Sequence, residues 1–201
     1  MAIYTTNNKI WKLDNKWVNK HYIDPYNPLD LPPNTIRCKF MSWYRPVNVG
    51  DSRTLVDSTN NIWDIYKQSN DWYELLYGEY QLIEVLGANT SNVTNMSYMF
   101  AQSTYIQSLS LFDTSRVTNM DSMFYNCSSL TSIPLFNTSS VTNMNNAFYA
   151  CIMVESGALA LYQQASSQAI PPTNHTSTFS YCGIETQTGL EELQQIPSDW
   201  K

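Results

Sequence analysis

The side chains able to do covalent or acid–base chemistry are few and scattered. Neither histidine, His21 or His175, sits beside a nucleophile, and both lie in loop-like contexts. A nucleophile activated by a histidine base therefore has no local signature. The four cysteines, Cys38, Cys127, Cys151 and Cys182, form no Cys-x-x-Cys pair, and with so few histidines a zinc site is disfavoured. Sugar hydrolysis needs two carboxylates converging on one cleft. Asp113 and Asp121 are the only acids between Asn89 and Val154, and the position 24 residues after Asp113 is Asn137. Six scattered glycines make no phosphate-cradling loop. These residues point to a protein that is not an enzyme and that needs no metal or cofactor. What they offer instead is binding chemistry: Phe112, Phe136, Tyr125 and Tyr149, beside Ser108, Ser110, Ser132 and Pro134. Aromatic rings stack on sugars and carry much of the energy of protein interfaces.

The elements that position these residues are repeats. "SNVTNMSYMF" at 91–100 returns as "SRVTNMDSMF" at 115–124 and "SSVTNMNNAF" at 139–148. Val93, Val117 and Val141 are 24 residues apart, as are Met96, Met120 and Met144, and Phe100, Phe124 and Phe148. The same step links Ile106, Leu130 and Val154, Leu109 and Ile133, and Leu111 and Leu135. A fixed period of this length with Leu-x-x-Ile-x-Leu spacing predicts an α+β fold built on a short leucine-rich-repeat-like solenoid of about three coils. Each coil is expected to carry a short strand with alternate residues facing inward, and Asn95, Asn119 and Asn143 a ladder that satisfies buried backbone or, alternatively, a polar ligand site. A degenerate first coil begins at Trp72, and stepping past Cys151 finds no further copy. On this reading the Ser108, Ser110, Ser132 and Pro134 positions face outward. Phe112 and Phe136 are either buried corners or an exposed aromatic ledge. Cys127 and Cys151 are either two free buried thiols or, since rung spacing comes close to disulfide geometry, a bridged pair.

Four regions follow. Residues 1–33 form a β-hairpin around Asp14-Asn15 and a Pro-rich linker, with Trp11 and Trp17 as a candidate attachment surface. Residues 34–71 supply strands, "TIRCKF" and "NIWDIYK", that lead into the array. Residues 72–155 are the solenoid. Residues 156–201 cap its open end, with a helix over 157–168 started by Ser156, a strand near "HTSTFSYCG", and a short helix with Thr188 and Glu191 at capping-box spacing.

Charge narrows the partners. The net charge is −6, yet residues 1–67 hold nine of the eleven Lys/Arg against six of the seventeen acids. Between Asn89 and Val154 the only charges are Asp113, Arg116 and Asp121. A nucleic-acid site needs clustered Lys/Arg, so nucleic acid is not expected as a partner. No apolar run approaches the length that spans a bilayer. The start of the chain lacks the basic-then-apolar pattern of a secretory signal.

The block "MFYNCSSLTSIPLFNTSSVTNMNNAF" resembles the BspA-like leucine-rich-repeat surface proteins, whose repeats join an MF-x-x-C-x-x-L element to NTS-x-VTNM. The resemblance covers about residues 70–155. It implies binding to host or partner-cell surfaces. The flanks "LPPNTIRCKF", "NIWDIYK" and "SGALALYQQASSQ…TFSYCG…GLEELQQIPSDW" are similar to short repeat proteins of phages and prophages of gut bacteria. That resemblance implies a virion protein, structural, decorating or adhesive, with an oligomeric assembly as one of its expected forms. Its expected partners are other virion proteins or a host-surface glycan or protein. The alternative is an adhesion module on a bacterial cell surface.

Overall fold

Strand β3 (Thr35–Phe40) shows how the first part of the chain folds. Its alternate residues Ile36, Cys38 and Phe40 face the core, while Arg37 on the opposite face is also buried. Arg37 is held there by a two-pronged ion pair, Nε to Asp64 Oδ1 at 2.6 Å and Nη2 to Oδ2 at 2.8 Å. Such fork-to-carboxylate geometry is what lets a charge leave water. The structure is a computed structural model that describes residues 10–13, 16–19 and 31–201. β3 pairs antiparallel with both β5 (Ile62–Tyr66) and β6 (Leu82–Asn89). β4 (Ser52–Asp57) lies outside β5, and β7 (Ser108–Leu109) adds a parallel edge to β6. The result is a five-stranded mixed sheet in the order β4-β5-β3-β6-β7. Separately, β1 (Ile10–Leu13) and β2 (Lys16–Asn19) pair antiparallel, with Trp11 opposite Val18 and Trp17 opposite Lys12.

This architecture corrects the expected leucine-rich-repeat-like solenoid. The molecule is a mostly sheet-based domain around one mixed sheet, with two short helices among the described residues. The strands expected over 106–111 and 130–135 do not form as such. The first is reduced to β7, and the second to a single parallel bridge from Ser132 to Ser156. Pro134, which has no amide to give to a ladder, sits in the middle of the second. The expected alternation fails too. Leu111 and Leu135 are 59% and 54% exposed, whereas Phe112 and Phe136 are buried.

The 24-residue units still stack, through turns rather than strands. Single parallel bridges join Asp71, Asn95, Asn119, Asn143 and Asn174 in succession. From each unit, alternate amides donate to the next: Met96, Tyr98, Phe100 and Gln102 to Asn119, Asp121, Met123 and Tyr125 carbonyls at 2.8–2.9 Å. Within a unit, four-residue turns close the same segment, for example Met99 N to Met96 O at 3.2 Å. Left-handed residues recur in register to make this possible. Glu74, Tyr98, Ser122, Asn146 and Ser177 form one set, and Gln102, Asn126, Ala150 and Tyr181 another, with φ between 53° and 66°.

The array does not end at Cys151, as the 24-residue step suggests. Asn174 bridges Asn143, and Phe179 stacks on Phe148 with centroids 5.8 Å apart. The last step is 31 residues because helix α1 (Ala158–Ser166) is inserted within it. "HTSTFSYCG" is therefore a further turn unit and not a strand. α1 starts after Gly157, whose φ of 100° and close approach to Ile133 O leave no room for a side chain; Ser156 is not its cap. Helix α2 (Gln187–Gln195) is capped by Thr186, whose side chain accepts from Gly189 N at 3.1 Å, and not through Thr188 and Glu191.

Candidate functional site

The interior of the stack is fully committed to packing. Val93, Val117, Val141, Met96, Met120, Met144 and the phenylalanines are all buried. Phe100, Phe124 and Phe148 stack with centroids 5.0 and 5.2 Å apart. A column of small polar groups runs beside them. Ser103 Oγ donates to Leu76 O at 2.9 Å, Cys127 Sγ to Phe100 O at 3.1 Å, and Cys151 Sγ to Phe124 O at 3.1 Å. All four cysteines are free and buried, and burial pushes each thiol above its ordinary pKa, that of Cys151 to about 12. Thiols so held are poor nucleophiles. The asparagine ladder is likewise structural: Asn95, Asn119 and Asn143 each accept from the amide two residues on at 3.0–3.1 Å.

Among the described residues, Asp113, Asp121 and His175 do not come together with one another. Asp113 accepts from Ser115 N at 2.9 Å, which lowers its pKa, while partial burial raises that of Asp121. His175 lies flat against Trp200, centroids 4.3 Å apart, with Nδ1 3.3 Å from Asp199 O. His21 lies outside the described residues. Tyr44 donates to Glu79 Oε2 at 2.6 Å, and burial raises the pKa of both groups. Among the described residues no group of three or more His, Cys, Asp or Glu is placed to hold a metal ion, and no helix is long and apolar enough to cross a membrane.

The sequence-predicted binding residues divide. Phe112 and Phe136 are core residues, rings 5.0 Å apart, so the buried-corner alternative is the one realised. Ser108 and Ser110 are half-buried beside the β6–β7 pairing, and Ser110 N donates to Val85 O. Ser132 is exposed and Pro134 half-buried. Tyr125 and Tyr149 stack at 5.0 Å with planes 4° apart, and Tyr181 meets Tyr149 edge-on at 5.4 Å. This half-exposed tyrosine edge is separate in sequence register from the serine positions. Of Trp11 and Trp17 only the backbone is described, one in each strand of the hairpin.

One surface feature combines several columns. Gln107, Ser108, Ser129, Thr131 and Met153 line an open depression of about 400 Å³. It arises from register. Thr131 N donates to Gln107 O and Glu155 N to Thr131 O, so successive units sit side by side here. In the column formed by residues 105, 129 and 153, small Ser129 lies between Tyr105 and Met153, which are 52% and 40% exposed. Only Ser108 among these was picked out from the sequence. Ser129 and Met153 share a column with Tyr105, and Gln107 and Thr131 belong to the adjoining column that continues to Glu155.

The sequence profile of a family described as "Mycoplasma protein of unknown function, DUF285" matches residues 57–162, just over half of the 201-residue chain. This family is related to the BspA-like repeats. No curated protein and no solved structure matches the chain.

Proposed function

The chain belongs to the DUF285 family, and we propose that it is a non-enzymatic recognition protein that uses the outer face of its stacked units to bind a cell surface. The observation that carries this reading is the division of labour between columns. The inward column of Phe100, Phe124 and Phe148 holds one residue type from unit to unit, whereas the outward column of Tyr105, Ser129 and Met153 changes at every unit. Such a column can change its contact chemistry without disturbing the core beneath it. The outward chemistry is aromatic, hydroxyl and amide, which suits adhesion to glycan or protein. The resemblance of the flanks to phage repeat proteins supports placing the protein on a virion, as a decorating or host-binding component. The bacterial description of the family favours a second reading, display on a bacterial cell surface.

The test is saturable binding of the fluorescently labelled protein to intact bacteria, with mass spectrometry of purified phage particles alongside. Binding with the protein present in the particles supports the virion reading. Binding with the protein in the bacterial envelope fraction supports the second. A protein that binds no cells, or that turns over a glycan substrate, contradicts the proposal.

A further inference from the structure

We propose that the depression lined by Gln107, Ser108, Ser129, Thr131 and Met153 is a subsite for a neutral sugar ring; this rests on the recognition reading above. Its lining is free of charge, consisting of one amide, three hydroxyls and a thioether. A binding site without charged groups favours an uncharged ligand, because an ion transferred from water would find no counter-charge. The Gln107 amide and the Ser108 and Ser129 hydroxyls make no hydrogen bond to another described residue, leaving donors and acceptors open to a ligand. The Thr131 hydroxyl donates to Gln107 O at 3.1 Å and keeps acceptor capacity. A ligand answering this set must itself carry several hydroxyls.

One wall is apolar, and Met153 forms it. Tyr105, one unit before Ser129 in the same column, lies outside the lining. A polarizable thioether suits the C–H face of a pyranose. The volume lies at the lower end of the range of small-ligand sites. A pyranose combines the two demands, hydroxyls at its rim and C–H groups on its face.

The column also supplies a clean way to close the site. Tyrosine already occupies the equivalent position at Tyr105, so Ser129→Tyr asks the fold for nothing it does not do one unit earlier. Gln107→Ala removes the exposed amide without touching the core. The experiment titrates the ¹⁵N-labelled full chain with maltose, cellobiose and N,N′-diacetylchitobiose as neutral probes and with sialyllactose as an anionic one. The result expected is a shift of the Gln107, Ser108, Ser129 and Thr131 amides by at least one neutral probe. Ser129→Tyr and Gln107→Ala, with thermal melts like the parent, should weaken that binding by about tenfold or more, the effect of one or two lost hydrogen bonds. Tighter binding of sialyllactose, shifts confined to the Tyr125–Tyr149 edge, or no shift with any neutral probe overturns the subsite. Cell binding that persists unchanged in Ser129→Tyr overturns the subsite alone. Absence of cell binding by the unmodified protein overturns the recognition reading and the subsite with it.

Discussion

The antiparallel strands over residues 35–66 and the stacked units from Asp71 to Cys182 answer the same demand with different backbones. Both must pair buried amides and carbonyls. In the sheet, extended strands do so by antiparallel ladders, Thr35 to Lys39 lying opposite Tyr66 to Ile62. In the stack, compact turns do so by alternate amides that reach into the next unit, and left-handed residues recur at two fixed positions. Strand β3 is buried on both faces and carries the Arg37–Asp64 ion pair on one of them. The stack buries one edge of each turn and lets single side chains form columns. A column can change outside without disturbing the inside, which a strand buried on both faces does not allow.

The largest test of this contrast is Phe124→Ala. Phe124 contacts rings above, below and beside it: Phe100 at 5.0 Å, Phe148 at 5.2 Å and Phe136 at 6.0 Å. Its removal should cost about 3–5 kcal/mol, the range for a buried phenylalanine, read by urea unfolding. If the stack is one cooperative array, amide exchange should accelerate in the units on both sides while β3 and β5 stay protected longer. Loss of protection confined to residues 115–127 would show instead that each unit stands alone.

Much of this interior was legible. The 24-residue spacing identified Val93, Met96, Phe100 and their partners as core columns, and the asparagines as a backbone-satisfying ladder. The strand expectation failed for a physical reason. Hydrophobic spacing reports which residues are buried, but it does not report φ, and Tyr98, Ser122 and Gln102 carry no glycine to announce a left-handed turn. Leu111 and Leu135 misled because the larger Phe112 and Phe136 next to them take the interior instead. The final unit was hidden by the α1 insertion, which changes the step from 24 to 31 residues. The depression was hidden because it depends on three units at once, with no single segment carrying its signature.

A smaller effect probes the polar column inside the stack. Cys151→Ser keeps a donor for Phe124 O, and Ser103 shows that a hydroxyl fits the same role. At pH 8 the variant should lie within about 1 kcal/mol of the parent. Alkaline pH should separate them. In the unfolded chain the thiol ionises near about 8.5; in the folded chain burial pushes it to about 12. The folded state retains a proton that the unfolded chain releases. Its stability contribution is complete below about pH 8.5 and is lost as pH rises through about 12. By pH 10 the parent should therefore have lost on the order of 2 kcal/mol more than Cys151→Ser, measured by urea unfolding at both pH values. Equal losses would mean that the thiol does not stay buried and protonated in the native stack.

The smallest effect tests the backbone itself. Ala150 has a φ of 57°, in register with Gly78 at 65°. A left-handed alanine costs roughly 1–2 kcal/mol, because its Cβ crowds the following carbonyl. Glycine removes that crowding but loses more chain entropy on folding. The balance for Ala150→Gly should be a gain of about 0.5–1 kcal/mol. The mirror change, Gly78→Ala, meets no neighbouring atom within 4 Å, so any cost it shows is backbone strain alone. Opposite signs for the two substitutions, seen as a higher denaturation midpoint for one and a lower midpoint for the other, would mark the left-handed turn as the feature that sets the stack apart from the sheet. A destabilised Ala150→Gly would mean instead that the half-buried methyl group contributes more than the turn strains.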